Sequence, residues 1–300
     1  MLDPSIAEHY QSGYERSRLF PGGHPKLEFV RSLELLGRLL PAPPARVLDV
    51  GGGPGTYAVP LAEGGYQVHL VDPLPLHVRQ AEEAGQRRSA PASAAPASYG
   101  PRSYGPGGAA GDSPAPGRVA SSFTASVGDA RRLGQPDESQ DAVVLFGPLY
   151  HLTSADDRGQ ALAEAHRVLR PGGRLMAMAI SRCASLLDGL YRDWLDDPVF
   201  RPIVDRDLAD GQHRNPDPAG RPEFFTTAYF HSAEGLAEEV RQSGFDEVEV
   251  YGVEGPGWPL DREWADSRRH EQILFAARAV ETDPSVIGFS HHFIAAANRP

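Results

Sequence analysis

Between residues 26 and 40 the apolar side chains Leu27, Val30, Leu33, Leu36 and Leu40 recur at three- and four-residue spacing, the period of a helix with one buried face. Pro41, Pro43 and Pro44 close the run. From Arg46 the period changes. Val47, Leu48 and Val50 form a short apolar stretch, Val68 to Val71 a second, and Asp141-Ala142-Val143-Val144-Leu145-Phe146 a third that is apolar almost throughout. Such runs are strands buried on both faces, as in a parallel sheet covered by helices. Between them the pattern predicts helices over 56–63 and 76–84. A further helix starts at Ser154, with Asp157 three residues on, and buries Ala161, Leu162, Ala165, Val168 and Leu169. Pro60 sits inside the first of these helices and predicts a kink or a short first turn. Alternating strands and helices predict an α/β fold, a doubly wound sheet with right-handed crossovers and helices on both faces.

Arg170-Pro171-Gly172-Gly173 ends the helix that starts at Ser154, and 174–180 reads as the fifth strand. A helical insertion rich in Leu and Trp follows over 184–208, then an Asn/Pro/Gly-rich stretch to 222. Helix returns over 232–243, strand over 246–253, helix over 264–281 and a final strand over 291–297. Residues 86–121 break the alternation. They are nearly all Ala, Pro, Ser and Gly and repeat Ser-Tyr-Gly-Pro at Ser98 and Ser103. A stretch so poor in apolar side chains buries too little to offset its ordering entropy, and is expected to be a disordered surface insertion. The expected organisation is therefore a lid or packing helix over 1–45 and one domain over 46–300, carrying the insertion 86–121 and a cap insertion over 184–222.

With a net charge of −11 and no basic run, the chain lacks the positive face that nucleic acid requires. Cys183 is the single cysteine, so neither an intrachain disulfide nor a thiolate metal cluster is expected, and no metal is expected. The start of the chain has no export signal, and no apolar run approaches the ~20 residues that span a bilayer. The expectation is a cytoplasmic protein acting on a small molecule away from the membrane. Nothing in the sequence fixes its oligomeric state.

The chemistry is concentrated where the first strand ends. Asp49 is followed by Gly51, Gly52, Gly53 and Gly55 in a turn that opens a helix. Such a turn lets a ligand lie against bare backbone beside the helix N-terminus. A nicotinamide-binding Gly-x-Gly-x-x-Gly counted from Gly51 requires glycine at position 56, where Thr56 stands. Asp72 ends the second strand about 20 residues on, where a carboxylate accepts from ribose hydroxyls. Its alternative is a helix N-cap ahead of Pro73. His151 follows the fourth strand and is a candidate general base or a packing residue. Tyr150 either lines the pocket or packs. His231, His291 and His292 match no metal spacing and are expected in unremarkable surface roles.

These residues, Asp49-x-Gly51-x-Gly53-x-Gly55 with Asp72 downstream, resemble the class I S-adenosylmethionine-dependent methyltransferases, and the likeness runs from Val47 to Asn298. The segment Gly147-Pro148-Leu149-Tyr150-His151-Leu152 is similar to that of small bacterial members. The resemblance implies seven strands, mostly parallel, with the last antiparallel and inserted beside the fifth. It implies S-adenosylmethionine as cofactor, bound by the glycine turn with Asp49, and by Asp72 and Pro73. Asp129 would accept from the adenine amino group while the Ala130 backbone meets the ring, and Phe146 and Gly147 would lie against the cofactor. Asp129 otherwise reads as a solvated loop residue. Tyr10, Tyr14 and Arg18 would form a lid, with Arg18 suited to the methionine carboxylate. The Asn/Asp-Pro-Pro-Tyr signature of nucleobase and glutamine methylation is absent. The rivals to methyl transfer are a nicotinamide oxidoreductase and a cofactor-binding module without catalysis.

Overall fold

The computed structural model describes Ile6, Leu19 and residues 26–89, 123–217, 220–260 and 267–300. Helix α1 (Leu27–Leu39) precedes β1 (Arg46–Val50), α2 (Ala58–Glu63), β2 (Gln67–Asp72) and α3 (Pro75–Ser89). Strands β3 (Phe123–Val127) and β4 (Gln140–Phe146) lead to the single turn α4 (Pro148–His151), α5 (Ala155–Val168) and β5 (Leu169–Ile180). Then come α6 (Ala184–Arg192), α7 (Phe200–Asp210), and β6 (Gln212–His213) paired with β7 (Ala228–Tyr229). Helix α8 (Ala233–Gln242), β8 (Asp246–Gly252), α9 (Ser267–Ala279) and β9 (His292–Asn298) complete the chain.

The main sheet has seven strands in the order β3-β2-β1-β4-β5-β9-β8. Strands β1 to β5 run parallel, and β9 enters antiparallel between β5 and β8. The continuous apolar runs are explained by two cores. Val47, Val144 and Met176 face one way, toward Leu35, Leu36 and Leu61. Leu48, Leu145 and Ala177 face the other way, toward Leu162, Ala165, Leu236 and Val240. Strand order reverses between β1 and β4, opening a crevice at their carboxyl ends.

Several boundaries differ from expectation. Helix α2 starts at Ala58, so Pro60 falls in its first turn, where an amide has no intrahelical acceptor to lose. Helix α3 runs on through Ser89, because the Glu, Gln and Arg side chains after Ala81 are good helix formers. Residues 86–89 are thus helical and not part of the insertion; the expected disorder of the remainder lies outside the described residues. Ser154 caps α5 by position only: its side chain makes no cap bond. The helical stretch 184–208 is two helices, separated after Asp193 turns left-handed at φ 61°. The stretch to 222 contains β6, and Phe200, Ile203, Val204 and Phe224 form a small separate core there. The helix expected from 264 is described from Ser267, preceded by a 3-10 turn over Gly255–Leu260.

Candidate active site

The turn after β1 meets the turn after β4. Gly51 adopts φ 72°, and a Cβ there would lie 2.6 Å from Pro148 Cδ, so only glycine permits the approach. Gly53 N donates to Asp72 Oδ2 at 3.0 Å, which ties the first turn to the end of β2. Asp72 Oδ1 accepts from Leu74 N at 2.9 Å and lies 3.1 Å from His77 Nδ1. The carboxylate braces the entry to α3 and also forms part of a cavity wall.

That cavity measures about 340 Å³ and sits at the strand-order reversal. Gly51, Gly52, Gly53, Asp72 and Pro73 line one side of it. Asp129, Ala130, Phe146, Gly147 and His151 line the rest of the site read from sequence, with Tyr150 beside them. Two expected residues stand behind the wall. Gly55, at φ 87°, packs α2 on α3, since a Cβ there would be 3.3 Å from Ala81. Asp49 lies between Leu70 and Val144 in the sheet register, fully buried, with no partner for either oxygen among the described residues. Burial, aided by the like charge of Asp72, pushes its carboxyl up to about 7. A Cβ on Gly52 would lie 2.4 Å from Asp49 Oδ2, so the carboxyl sits directly under a wall residue. Tyr14 and Arg18 lie outside the described residues.

Asp129 is gripped by Arg131, at 3.0 Å through Nε and 2.6 Å through Nη2, and this holds its carboxyl below the usual range. It is thus an ion-paired wall residue, with its side chain still 41% exposed. Arg131 reaches Asp157 as well, at 3.1 Å. His151 ends α4 with its ring 4.6 Å from that of Tyr150 and 6.1 Å from that of Phe225.

Sequence reasoning missed Glu28, Tyr57, His77, Arg131 and Met178, all on the wall. The apolar stripe of α1 hid Glu28, a charge on a buried helix face. Tyr57 stacks on Phe29 at 5.7 Å and meets Phe146 edge-on at 5.3 Å. The spacing of Arg131 two residues after an acid was a usable signal.

The three later histidines are not surface residues. His231 is 1% exposed and lies 3.1 Å from Glu239. Burial alone would raise the Glu239 carboxyl, but His231 and Arg158 bring it down to about 2. His292 is held by Glu254, and His291 stacks under Trp258 at 3.9 Å. Chain segments after β7 and β8 cover these strand ends, which period and composition do not reveal.

A family model described as a methyltransferase domain matches residues 26–250. A ubiquinone/menaquinone biosynthesis C-methyltransferase from Caulobacter vibrioides is 32% identical over 146 residues, 48% of this chain and 48% of that protein. The chain thus spans about half the length of the curated relatives it matches. Among solved structures, a possible histamine N-methyltransferase from Thermotoga maritima superposes with a TM-score of 0.54 at 19% identity, covering 98% of this chain and 99% of that one. A Haemonchus contortus phosphoethanolamine N-methyltransferase, solved with phosphomonomethylethanolamine and S-adenosylhomocysteine, gives 0.50 at 18% identity, covering 90% and 52%.

Proposed function

Because the chain belongs to the methyltransferase-domain family, we propose that it transfers a methyl group from S-adenosylmethionine to a small-molecule acceptor. The observation that carries the reading is the wall formed by Gly51, Gly53 and Asp72 at the reversal of strand order. The cofactor fits the groups present. Asp72 retains acceptor capacity for ribose hydroxyls, and the buried Asp49 carboxyl without a partner suits a positively charged amino group nearby. Asp129 and Ala130 take the adenine end, with Phe146, Gly147 and Pro73 against the ligand. When bound, the cofactor supplies an electrophilic methyl whose leaving group is a neutral thioether.

This chain then has to position the acceptor and manage one proton. Orientation at near-attack distance supplies most of the rate, since it makes a bimolecular step unimolecular. His151, on the wall beside Tyr150, takes the proton of an acceptor that arrives protonated. The 1–45 segment and the 184–222 insertion serve as lid and cap over the acceptor side, and the molecule acts on a small solute.

The test begins with the cofactor. Titration calorimetry should detect S-adenosylhomocysteine binding and no NAD binding, and Asp72→Asn should weaken binding by ~1–3 kcal/mol. NAD binding in place of S-adenosylhomocysteine would favour the oxidoreductase. For His151→Gln, cofactor binding and folding should persist while turnover drops 10²–10⁴-fold, as typical for a lost general base. Full turnover across pH would leave positioning alone.

A further inference from the structure

Asp129 follows β3 in a tight turn, in which Arg132 N donates to Asp129 O at 3.0 Å. Two bonds fasten that turn to α5. Arg131 Nη1 donates to Asp157 Oδ1 at 3.1 Å, and Leu133 N donates to Glu164 Oε2 at 2.7 Å. The backbone that carries Asp129 to the cavity wall is therefore braced from the helix side.

Within the turn, Arg131 closes on the carboxylate side-on. Its backbone N and its Nε donate to Asp129 Oδ1 at 2.9 and 3.0 Å, and its Nη2 donates to Oδ2 at 2.6 Å. Paired bonds of this kind fix the plane of a carboxylate as well as its place. The same bonds hold Asp129 ionised, below the usual carboxylate range, and push the Arg131 guanidinium up. An ionised carboxylate only accepts hydrogen bonds, in about four directions, two on each oxygen. Arg131 occupies both directions of Oδ1 and one of Oδ2. Among the described residues a single direction is left, on Oδ2. Asp129 lines the cavity and its side chain is partly exposed, so the carboxylate is within a ligand's reach. An N–H donor satisfies the remaining direction, whereas a carbonyl oxygen brought to it meets another acceptor.

We propose that Arg131 is the positioning residue that makes Asp129 selective for a purine bearing a 6-amino group, by clamping the carboxylate so that one acceptor direction remains. This rests on the methyltransferase reading, in which Asp129 takes the adenine end, and assigns what tells that end from a 6-oxo purine. A 6-oxo purine carries its proton on ring nitrogen N1 instead. A carboxylate free to turn about its Cβ–Cγ bond follows that proton; a clamped one does not.

The test is calorimetry on the full chain with S-adenosylhomocysteine and S-inosylhomocysteine, which differ by a 6-amino against a 6-oxo group. Wild type should bind the amino compound about tenfold more tightly, a moderate ratio for an acceptor that water still reaches. Arg131→Gln should bring the ratio below about threefold, and so should Arg131→Lys, which keeps the charge and loses the fork. Asp129→Asn, which replaces one acceptor by a donor, should lose the preference as well. A role confined to bracing the turn would weaken both compounds in parallel. An unchanged ratio in the Arg131 variants therefore overturns the assignment. Equal affinities in wild type, or a preference that survives in Asp129→Asn, overturn it too. If Arg131→Gln does not fold, Arg131→Lys decides. A wild type that binds neither compound would instead overturn the methyltransferase reading itself, which keeps the two failures apart.

Discussion

Asp49 shows how a single residue ties folding to ligand chemistry. Its carboxyl is pushed up to about 7 in the folded protein, against ~4 in an unfolded chain. Because the folded value is the higher one, the contribution of Asp49 is fully favourable below pH ~4 and is lost as pH rises toward 7. The difference is worth on the order of 4 kcal/mol at neutral pH for so buried a group. Asp49→Asn should therefore raise the melting temperature of the cofactor-free protein at pH 7.5 and leave it nearly unchanged at pH 4. A positively charged amino group nearby reverses the preference, so wild-type affinity for S-adenosylhomocysteine should increase from pH 5.5 to 8. Calorimetry on the asparagine variant should give a flat pH profile; a slope equal to wild type would remove Asp49 from the linkage.

Among elements, the joint between α5 and α8 carries a buried charge network. Arg158, 2% exposed, pairs with Glu239 at 2.6 Å and donates to Leu152 O and Thr153 O, which belong to cavity-lining residues. Its guanidinium also lies 3.7 Å from the Tyr229 ring centroid. Removing one partner of a buried pair leaves the other uncompensated, so Arg158→Ala should cost ~3–5 kcal/mol in urea unfolding. Glu239, held at about 2, stabilises the fold above pH ~4, and that contribution is lost as pH falls from ~4 toward 2. At the joint of α2 and α3, Gly55→Ala should lower stability by ~1–2 kcal/mol, from left-handed backbone strain and crowding against Val59 and Ala81. If the fold holds, cofactor affinity should change little, because Gly55 stands behind the wall. A larger loss of affinity than of stability would return Gly55 to the binding surface.

At the scale of the whole molecule, the cavity joins α1, the turns after β1, β2 and β4, and the end of β5. A ligand there links segments far apart in sequence and should stabilise the fold as a unit. At a hundredfold excess over Kd, S-adenosylhomocysteine should add about 2.7 kcal/mol. That corresponds to a rise of roughly 5 °C in a single melting transition. NAD at the same concentration should give no shift. Two transitions, only one of them moving with ligand, would show that the cavity does not couple the two faces of the sheet.

The sequence by itself determined the strand and helix alternation, the glycine turn and the acid at the end of β2, because these are local. Period, turn chemistry and strand-end position are each written within a few residues. It also placed Asp129, Phe146, Gly147 and His151 on what proved to be one cavity wall. Tertiary structure decided the rest. Nothing near Glu28 in sequence indicates that α1 turns this charge toward the cavity, nor that Glu254 and His292 meet it there. Gly55 looks identical to its neighbours in the turn, and only the approach of α3 makes it a packing residue. The Arg131 grip on Asp129, the burial of His231 and the partial burial of His291 and His292 likewise depend on which elements close over them. Local patterns fix what each segment becomes, while contacts across long sequence separations fix which side chains are dry, paired or facing a ligand.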